Sequence, residues 1–398
     1  MSIAVDSSKP SICFVALNAY GILSGREDIQ HIGGAEVQQS LIAHELVRRG
    51  YRVSFVTLDH GQPDGEVIDG ITIYKAYRKD AGIPKLRFIH PRTTGLWAAM
   101  KRAQADVYYQ RGAGSETGLV AHWCRRNGRQ FVFAAAHDTN SDPALPLLGG
   151  RSERYLYRYG LARATVVIAQ TKQQQALFRA GFGITTRLLR NCVEHHAELS
   201  HCRKSSADGA ALWIGRISPE KRPEWLYEIA RELPGTRFHI VGHANTDGRY
   251  ARLVLRQFQN CSNITWHGYL PRNSMGAVYA SASVLLCTSL QEGFPNVFLE
   301  AWARAIPVIT TCDPDHVVTE HGLGRLVSSQ EEFKEATASL AADPKTWHDF
   351  ALTARDYVRE RHSVAQIADR FLSILDEFDA ASSRSRIQVV ASTVDKAQ

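Results

Sequence analysis

The sequence predicts an α/β protein made of two doubly wound, parallel-sheet domains, and two observations lead to this prediction. Short apolar runs typical of buried strands alternate with helical patterns along most of the 398 residues. A polar stretch at 191–209 interrupts the alternation, which then restarts. Ligands of such sheets bind at the carboxyl ends of the strands, so we expect the functional site in a cleft between the domains.

The first half alternates strands and helices from residue 11 onward. Apolar residues at 37, 41, 42, 46 and 47 recur with the spacing of one helical face, and Gly50 ends that pattern. The candidate strands are 11–17, 52–57, 71–76, 106–110, 131–136, 165–170 and 186–190.

The second half repeats this organisation, with a helix expected from Lys221 and a helical last third. We predict an N-terminal domain at 1–200 and a C-terminal domain at 201–365. A helix at 366–380 is expected to pack back toward the N-terminal domain, and 381–398 to form a flexible tail. The candidate strands are 211–215, 237–242, 263–270, 283–289 and 306–311.

The composition, 44% hydrophobic and 22% charged, is typical of a soluble globular protein. No apolar run approaches the roughly 18–20 residues that span a bilayer. The first residues lack the basic region, apolar stretch and cleavage site of a signal peptide, so we expect a cytoplasmic protein.

The cysteine spacing and the net charge bear on two further classes of function, disulfide or metal-binding proteins and nucleic-acid-binding proteins. The seven cysteines are scattered without a C-x-x-C pair, and we expect them to act as small apolar side chains. The 47 basic and 40 acidic residues make the chain mildly positive. That balance suits phosphate-bearing substrates or an anionic membrane surface and does not indicate a nucleic-acid partner.

Two glutamates, Glu292 and Glu300, stand eight positions apart in TSLQEGFPNVFLEAWARAIPVITT, residues 288–311. A strand is expected to end near Thr288, and a helix to begin with Pro295 as its first residue. Neighbouring backbone amides would then point toward an anion such as phosphate. Because like charges repel, the carboxylates suit sugar hydroxyls beside a diphosphate better than the phosphates themselves. The alternative is a surface pair of one loop and one helix glutamate. The amides belong to Gly293, Phe294, Asn296 and Val297.

This unit resembles the E-x7-E signature of retaining glycosyltransferases of the GT-B fold, specifically glycosyltransferase family 4, and the resemblance covers about residues 11–375. It implies two Rossmann-like domains, of which the first binds the acceptor and the second the nucleotide-sugar donor. It also implies that Glu292 contacts the donor sugar, that Glu300 contacts the ribose, and that residues 293–297, Pro295 included, lie beside the donor.

The stretch LWIGRISPEKRPEWLYEIA, residues 212–230, matches a G-R-x-x-x-x-K pattern of the same family. The resemblance implies that Arg216 and Lys221 bind the donor diphosphate, where fixed cations neutralise the charge that develops on the leaving group. The alternative is two surface cations at a helix start, which the helix dipole disfavours because it prefers anions there.

Gly33 and Gly34 precede the first long helix in HIGGAEVQQS, residues 31–40. The resemblance implies a glycine loop near the donor phosphates, and a simple tight turn is the alternative. The stretch is not the G-x-G-x-x-G fingerprint, which counts against a dehydrogenase.

His137 ends a predicted strand in FVFAAAHDTN, residues 131–140. The family carries a histidine at this strand end, which implies a contact with a donor-sugar hydroxyl or the leaving-group side. A loop histidine with local partners is the alternative. The pair His195–His196 has no ligand spacing, so we expect it at the surface.

The sequence departs from the family pattern at two places, the end of the signature helix and the loop after the strand predicted at 237–242. Ala305 stands where a glycine usually ends the signature helix, and a left-handed backbone there would cost about 1 kcal/mol. The stretch Gly242-His243-Ala244 stands where the family often has G-x-G after a strand, in a loop that the resemblance places near the nucleotide base.

No carboxylate is set up as a nucleophile on the opposite face of the sugar, so the resemblance favours same-face attack, with the leaving diphosphate taking the acceptor proton. No D-x-D pattern lies directly at the end of a predicted strand, so we expect neither a metal nor a cofactor beyond the nucleotide-sugar. An epimerase with the same architecture stays open, and it would need no acceptor. A phosphorylase would need a pyridoxal phosphate lysine, for which no candidate stands out. An inactive nucleotide-sugar-binding partner would be expected to have lost some of the charged residues.

Segments 77–103 and 151–164 mix cations with aromatic and aliphatic residues. That composition suits an anionic membrane surface, and a solvated loop beside an ordinary core helix is the alternative. Since both segments lie in the half that holds the acceptor in this family, we expect a peripheral enzyme that extends a lipid-linked saccharide.

Overall fold

The computed structural model describes residues 6–26, 28–29, 33–194, 209–245 and 248–378. These residues form two compact units. The first contains the described residues up to Asn191 together with 364–378, and the second runs from Cys192 to Ser363. The tail predicted at 381–398 and the histidine pair at 195–196 lie outside the described residues.

The first unit is built on an eight-stranded sheet in the order β3-β4-β2-β1-β5-β6-β7-β8. Its strand pairs are parallel except β3 with β4. The strands are β1 Ile12–Val15, β2 Val53–Thr57, β3 Glu66–Ile68, β4 Ile71–Lys75, β5 Val107–Arg111, β6 Gln130–Ala134, β7 Val166–Ala169 and β8 Arg187–Leu188.

Helices of the first unit connect these strands, and residues 364–378 add one more helix, α14. Phe371 of α14 packs edge-on against Tyr109, with ring centroids 5.7 Å apart. The connecting helices are α1 Tyr20–Ser24, α2 Gly34–Arg48, α3 Thr94–Ala103, α4 Ser115–Arg126, α5 Arg151–Leu161 and α6 Lys172–Phe182.

The second unit is built on a six-stranded, all-parallel sheet in the order β11-β10-β9-β12-β13-β14. The strands are β9 Ala210–Ile214, β10 Phe238–Val241, β11 Ile264–Trp266, β12 Ala282–Cys287, β13 Val308–Thr310 and β14 Gly324–Leu326. The helices are α7 Glu224–Glu232, α8 Arg249–Gln259, α9 Met275–Ser281, α10 Asn296–Trp302, α11 Val317–His321, α12 Gln330–Ala342 and α13 Pro344–Arg361.

Both faces of the second sheet are covered by apolar side chains. Trp213 and Leu286 belong to the core on one face, whereas their neighbours Leu212 and Leu285 belong to the core on the other. Parallel strands buried on two faces read as continuous apolar runs, which is why these strands were predictable.

Two strands were missed, β3 and β14, the second because the last third of the chain was expected to be helical, and the strands predicted at 186–190 and 263–270 are shorter than expected. β3 was missed, although Asp69 and Gly70 both have positive φ in a two-residue hairpin and Asp-Gly is a strong signal for that turn. The strand predicted at 263–270 is only three residues long, because β11 is an edge strand that pairs with β10 alone. No helix in the described part of the chain combines the length and apolar character needed to span a bilayer.

Candidate active site

The loop after β12 carries the predicted phosphate-binding amides. Gly293, Phe294 and Pro295 are buried, whereas Asn296 and Val297 are partly exposed. The Phe294 side chain packs in the core against Trp302, with ring centroids 6.4 Å apart, so only its backbone is placed to face a ligand.

The prediction that Pro295 is the first residue of α10 is wrong. Its ψ of 121° is extended, and its carbonyl accepts the amide of Phe298 at 3.1 Å, so Pro295 caps the helix and Asn296 begins it. The proline φ of −67° is compatible with both positions, which is why the sequence favoured the wrong one.

Lys221 and Glu292 form an ion pair, although 71 positions separate them along the chain. The Lys221 ammonium contacts Oε1 of Glu292, and their side chains are 27% and 12% exposed. Lys221 ends a short helical turn that follows β9, and Glu292 lies in the loop that follows β12. The structure therefore brings together two residues that the sequence assigned to two separate motifs.

Hydrogen bonds attach the turn that carries Lys221 to the end of β12. The Thr288 hydroxyl donates to the Lys221 carbonyl at 2.6 Å and accepts the indole N–H of Trp213 at 3.1 Å. The Leu290 amide donates to the Glu220 carbonyl at 2.8 Å. Sequence reasoning missed Thr288 and Trp213 as site residues, because neither has a signal other than its position at a strand.

Arg216 lies between β9 and the Lys221 turn with its side chain exposed. Among the described residues its guanidinium makes no ion pair. The adjoining backbone is held by β10 and its extension, because the amides of Gly215 and Ile217 donate to the carbonyls of Val241 and His243, both at 3.0 Å.

Gly242 permits this close approach. Its φ is +151°, and a Cβ at this position would lie 1.7 Å from the Gly215 carbonyl oxygen. A residue with a Cβ would therefore clash with the Gly215 backbone at position 242, so the packing of the second unit itself requires this glycine.

Glu300 is held by two donors that the sequence did not reveal. The Tyr279 hydroxyl donates to Oε2 at 2.7 Å and Arg272 donates to Oε1 at 3.0 Å. Burial raises the pKa of Tyr279 well above its usual value, and the adjacent carboxylate raises it further, so the phenol remains a donor. A carboxylate accepts about four hydrogen bonds, which leaves Glu300 capacity for a ligand hydroxyl.

His137 lies in the first unit beyond the end of β6, and local bonds set its tautomer. The Thr139 amide donates to Nδ1 of His137 at 3.2 Å, so in the neutral ring the proton is on Nε2. The side-chain oxygen of Asn140 accepts the Ala136 amide at 2.8 Å, and the backbone carbonyl of Asn140 accepts the Tyr157 hydroxyl at 2.6 Å. His137 therefore has Nε2–H as its remaining donor.

Gly33 and Gly34 are exposed at the start of α2. The Gly33 amide already donates to the Glu36 carboxylate at 3.0 Å, which satisfies this donor at the start of the helix. A phosphate binding at this amide would have to displace Glu36.

Within the described ranges, no three His, Cys, Asp or Glu side chains converge closely enough to hold a metal ion. The metal-free reaction stays a prediction.

Comparison with known proteins identifies the family. Residues 33–192 match the family model described as a glycosyl transferase 4-like domain, and residues 209–343 match glycosyl transferases group 1. The chain is 28% identical over 135 residues to the O-antigen biosynthesis glycosyltransferase WbnH of Escherichia coli, which covers 34% of this chain and 38% of that protein. It therefore spans little more than a third of WbnH.

Two longer alignments cover most of the chain. An uncharacterized glycosyltransferase of Haemophilus influenzae is 22% identical over 331 residues, covering 79% of this chain and 87% of that protein. The structure of HepE from Anabaena, solved in complex with UDP and glucose, aligns with a TM-score of 0.72 and 17% identity, covering 93% of this chain and all of that chain. The chain thus belongs to the group 1 glycosyltransferases, and its two α/β units are the two domains of their GT-B fold.

Proposed function

We propose that the protein is a retaining glycosyltransferase that moves a hexosyl group from a UDP- or GDP-sugar to a saccharide acceptor. The observation that carries the proposal is the Lys221–Glu292 ion pair, which brings together the cation proposed to bind the diphosphate and the carboxylate proposed to contact the sugar. The UDP and glucose bound to HepE support a nucleotide-sugar donor. The role of WbnH in O-antigen biosynthesis supports an acceptor that belongs to a bacterial surface polysaccharide.

Each charged side chain of the second unit is assigned to a different part of the nucleotide-sugar. An ammonium has three donors, so Lys221 can contact Glu292 and still bind phosphate oxygens together with Arg216. Glu292 keeps Oε2 for a hydroxyl of the donor sugar, since Lys221 contacts Oε1. Glu300 accepts from a ribose hydroxyl, and the backbone of residues 293–297 lies beside the phosphates.

The reaction proceeds on one face of the sugar. The acceptor hydroxyl attacks the anomeric carbon from the side on which the diphosphate departs, so a new C–O bond forms while the C–O bond to the phosphate breaks. The acceptor proton passes to the departing phosphate oxygen. Arg216 and Lys221 stabilise the negative charge that develops there, and His137 donates its Nε2 proton in a hydrogen bond to a sugar hydroxyl.

The acceptor is proposed to be lipid-linked, and the enzyme to bind an anionic membrane surface peripherally. Ile83, Leu86 and Ile89 are exposed in the stretch before α3, and Lys85 and Arg87 lie exposed between them. Cations bind anionic head groups while aliphatic side chains enter the acyl boundary.

A donor screen followed by a transfer assay tests the proposed function. UDP- and GDP-sugars are first compared by thermal shift, because a bound donor raises the melting temperature. The stabilising sugar is then incubated with and without saccharide acceptors, and proton NMR determines the anomeric configuration of the product. We expect acceptor-dependent transfer with retained configuration. Conversion of the nucleotide-sugar without an acceptor would indicate an epimerase, and an inverted product would contradict retention.

A further inference from the structure

Arg222, the residue after Lys221, has a strained backbone. Its φ of 45° and ψ of 49° lie in the left-handed region, which glycine adopts far more easily than a residue with a Cβ. Such conformations persist only where surrounding contacts maintain them, and they are found preferentially at functional sites.

Two backbone hydrogen bonds, from the Arg222 amide to the Pro219 carbonyl at 3.3 Å and from the Trp225 amide to the Arg222 carbonyl at 3.2 Å, and the Arg222 guanidinium hold this conformation. Nε donates to the Thr288 carbonyl at 2.7 Å, and Nη2 donates to the Thr311 hydroxyl at 3.0 Å. The guanidinium carbon also lies 4.0 Å from the centroid of the Trp225 ring. One planar side chain therefore contacts the residues that follow two strands and a residue of helix α7.

These contacts connect the Lys221 turn to the ends of β12 and β13. Thr288 follows β12 and leads to Glu292, and Thr311 follows β13. The Thr311 hydroxyl in turn donates to the Ser289 carbonyl at 2.7 Å. Because Arg222 adjoins Lys221, its guanidinium helps to fix the Lys221 backbone relative to the segment that carries Glu292. It does so in addition to the bonds from Thr288 and Leu290.

We propose that Arg222 is a positioning residue, whose guanidinium and left-handed backbone hold Lys221 in place for binding the donor diphosphate. This inference rests on the proposed role of Lys221. Lysine is a poor substitute, because an ammonium is a point donor and cannot reproduce the planar fork that reaches both Thr288 and Thr311.

Nucleotide affinities measured by calorimetry test the proposal. The ratio of the affinity for UDP to that for uridine, or for GDP to guanosine, isolates the contribution of the diphosphate. We expect Arg222→Gly, which permits the left-handed backbone but removes the guanidinium, to lower this ratio about 10-fold, and Arg222→Lys to lower it less. Thr311→Val removes one acceptor at nearly constant shape, so it should lower the ratio by about 3-fold and serves if Arg222→Gly does not fold.

The decisive comparison is a double-mutant cycle with Lys221→Ala. If Arg222 acts through Lys221, Arg222→Gly should change the ratio by less than about 2-fold in the Lys221→Ala background. Ala305→Gly relieves backbone strain at another left-handed position of the second unit. It controls for the effect of strain relief alone and should leave the affinity ratio unchanged.

The outcomes separate this inference from the proposed function. Equal effects of Arg222→Gly in both backgrounds would show a merely structural residue, and a wild-type ratio in Arg222→Gly would also contradict the positioning role. A wild-type ratio in Lys221→Ala, or failure of both nucleotides to bind the wild-type protein, would contradict the proposed function, and the positioning role with it.

Discussion

The two units present their candidate functional residues in different ways. In the second unit three of the four charged candidate side chains are held by partners within the unit, because Lys221 contacts Glu292, and Tyr279 and Arg272 donate to Glu300. In the first unit the stretch before α3 exposes aliphatic side chains, such as that of Ile89, between cationic ones. A preorganised site suits a ligand that is always the same nucleotide-sugar, whereas an exposed apolar surface suits a large or surface-bound partner.

The largest effect should come from the cations of the second unit. We expect Arg216→Ala or Lys221→Ala to lower the transfer rate by at least about 100-fold, the scale of one lost transition-state donor. Lys345→Ala, an exposed lysine of α13, should leave the rate unchanged. Wild-type turnover in either variant would contradict the role of that cation in catalysis, and with it the interpretation of the second unit as the preorganised donor site. Complete loss of wild-type activity in a chelator would contradict the metal-free mechanism.

The two glutamates should separate sugar binding from nucleotide binding. Glu292→Gln is expected to slow turnover by about 10-fold or more while the affinity for the free nucleoside diphosphate changes little. In Glu300→Gln the amide oxygen can still accept from Arg272, and the amide NH2 can donate to the Tyr279 hydroxyl, which also accepts hydrogen bonds. The unit should therefore fold, but its nucleotide affinity should fall several-fold. Calorimetry with the nucleoside diphosphate measures both variants. The opposite pattern would reverse the assigned roles.

A matched pair of exposed residues tests the surface of the first unit. Ile89 and Val67 are both 63% exposed, but Ile89 lies between cations before α3, whereas Val67 lies on the edge strand β3. Ile89→Glu should weaken co-sedimentation with anionic vesicles by about 10-fold, and Val67→Glu should not. Binding should also weaken at high salt. A wild-type protein that stays in the supernatant with every vesicle, at low and high salt, would refute the membrane proposal.

The smallest effect concerns Ala305, which is expected to be strained. Its φ is 55°, so Ala305→Gly should raise the free energy of unfolding of the second unit by about 1 kcal/mol. Ala303 is also 4% exposed but has a helical φ of −59°, so Ala303→Gly should lower this free energy by about 0.5–1 kcal/mol. Thermal or urea unfolding measures both. Equal signs would show that backbone conformation is not what distinguishes the two alanines.

Local patterns in the sequence predicted most of the fold and part of the site. Strand and helix positions follow from apolar periodicity, and Lys221 and Glu292 each lie in a recognisable motif. Even the left-handed backbone at Ala305 was predictable, because the residue stands where the family has a glycine.

The remaining site features depend on contacts between residues distant along the chain. Glu300 meets Tyr279 and Arg272 from 21 and 28 positions away, and Arg222 reaches Thr311 across 89. A single sequence contains no periodic signal for such pairs. Arg222 is especially hard to predict, since an arginine gives no indication that its backbone is left-handed.

The return of the chain to the first unit has a consequence for biosynthesis. In helix α14, Phe371 packs against Tyr109 and Asp369 forms an ion pair with Arg49. The first unit is therefore built from two sequence segments, one before and one after the second unit along the chain. A ribosome releases residues in order, and domains usually complete their folding from the N-terminus onward. Here the second unit, continuous in sequence, can finish first, while the nascent first unit must wait about 170 residues for its last helix. During that interval the Tyr109 surface lacks its covering helix, and it is where we expect a chaperone to act on the growing chain.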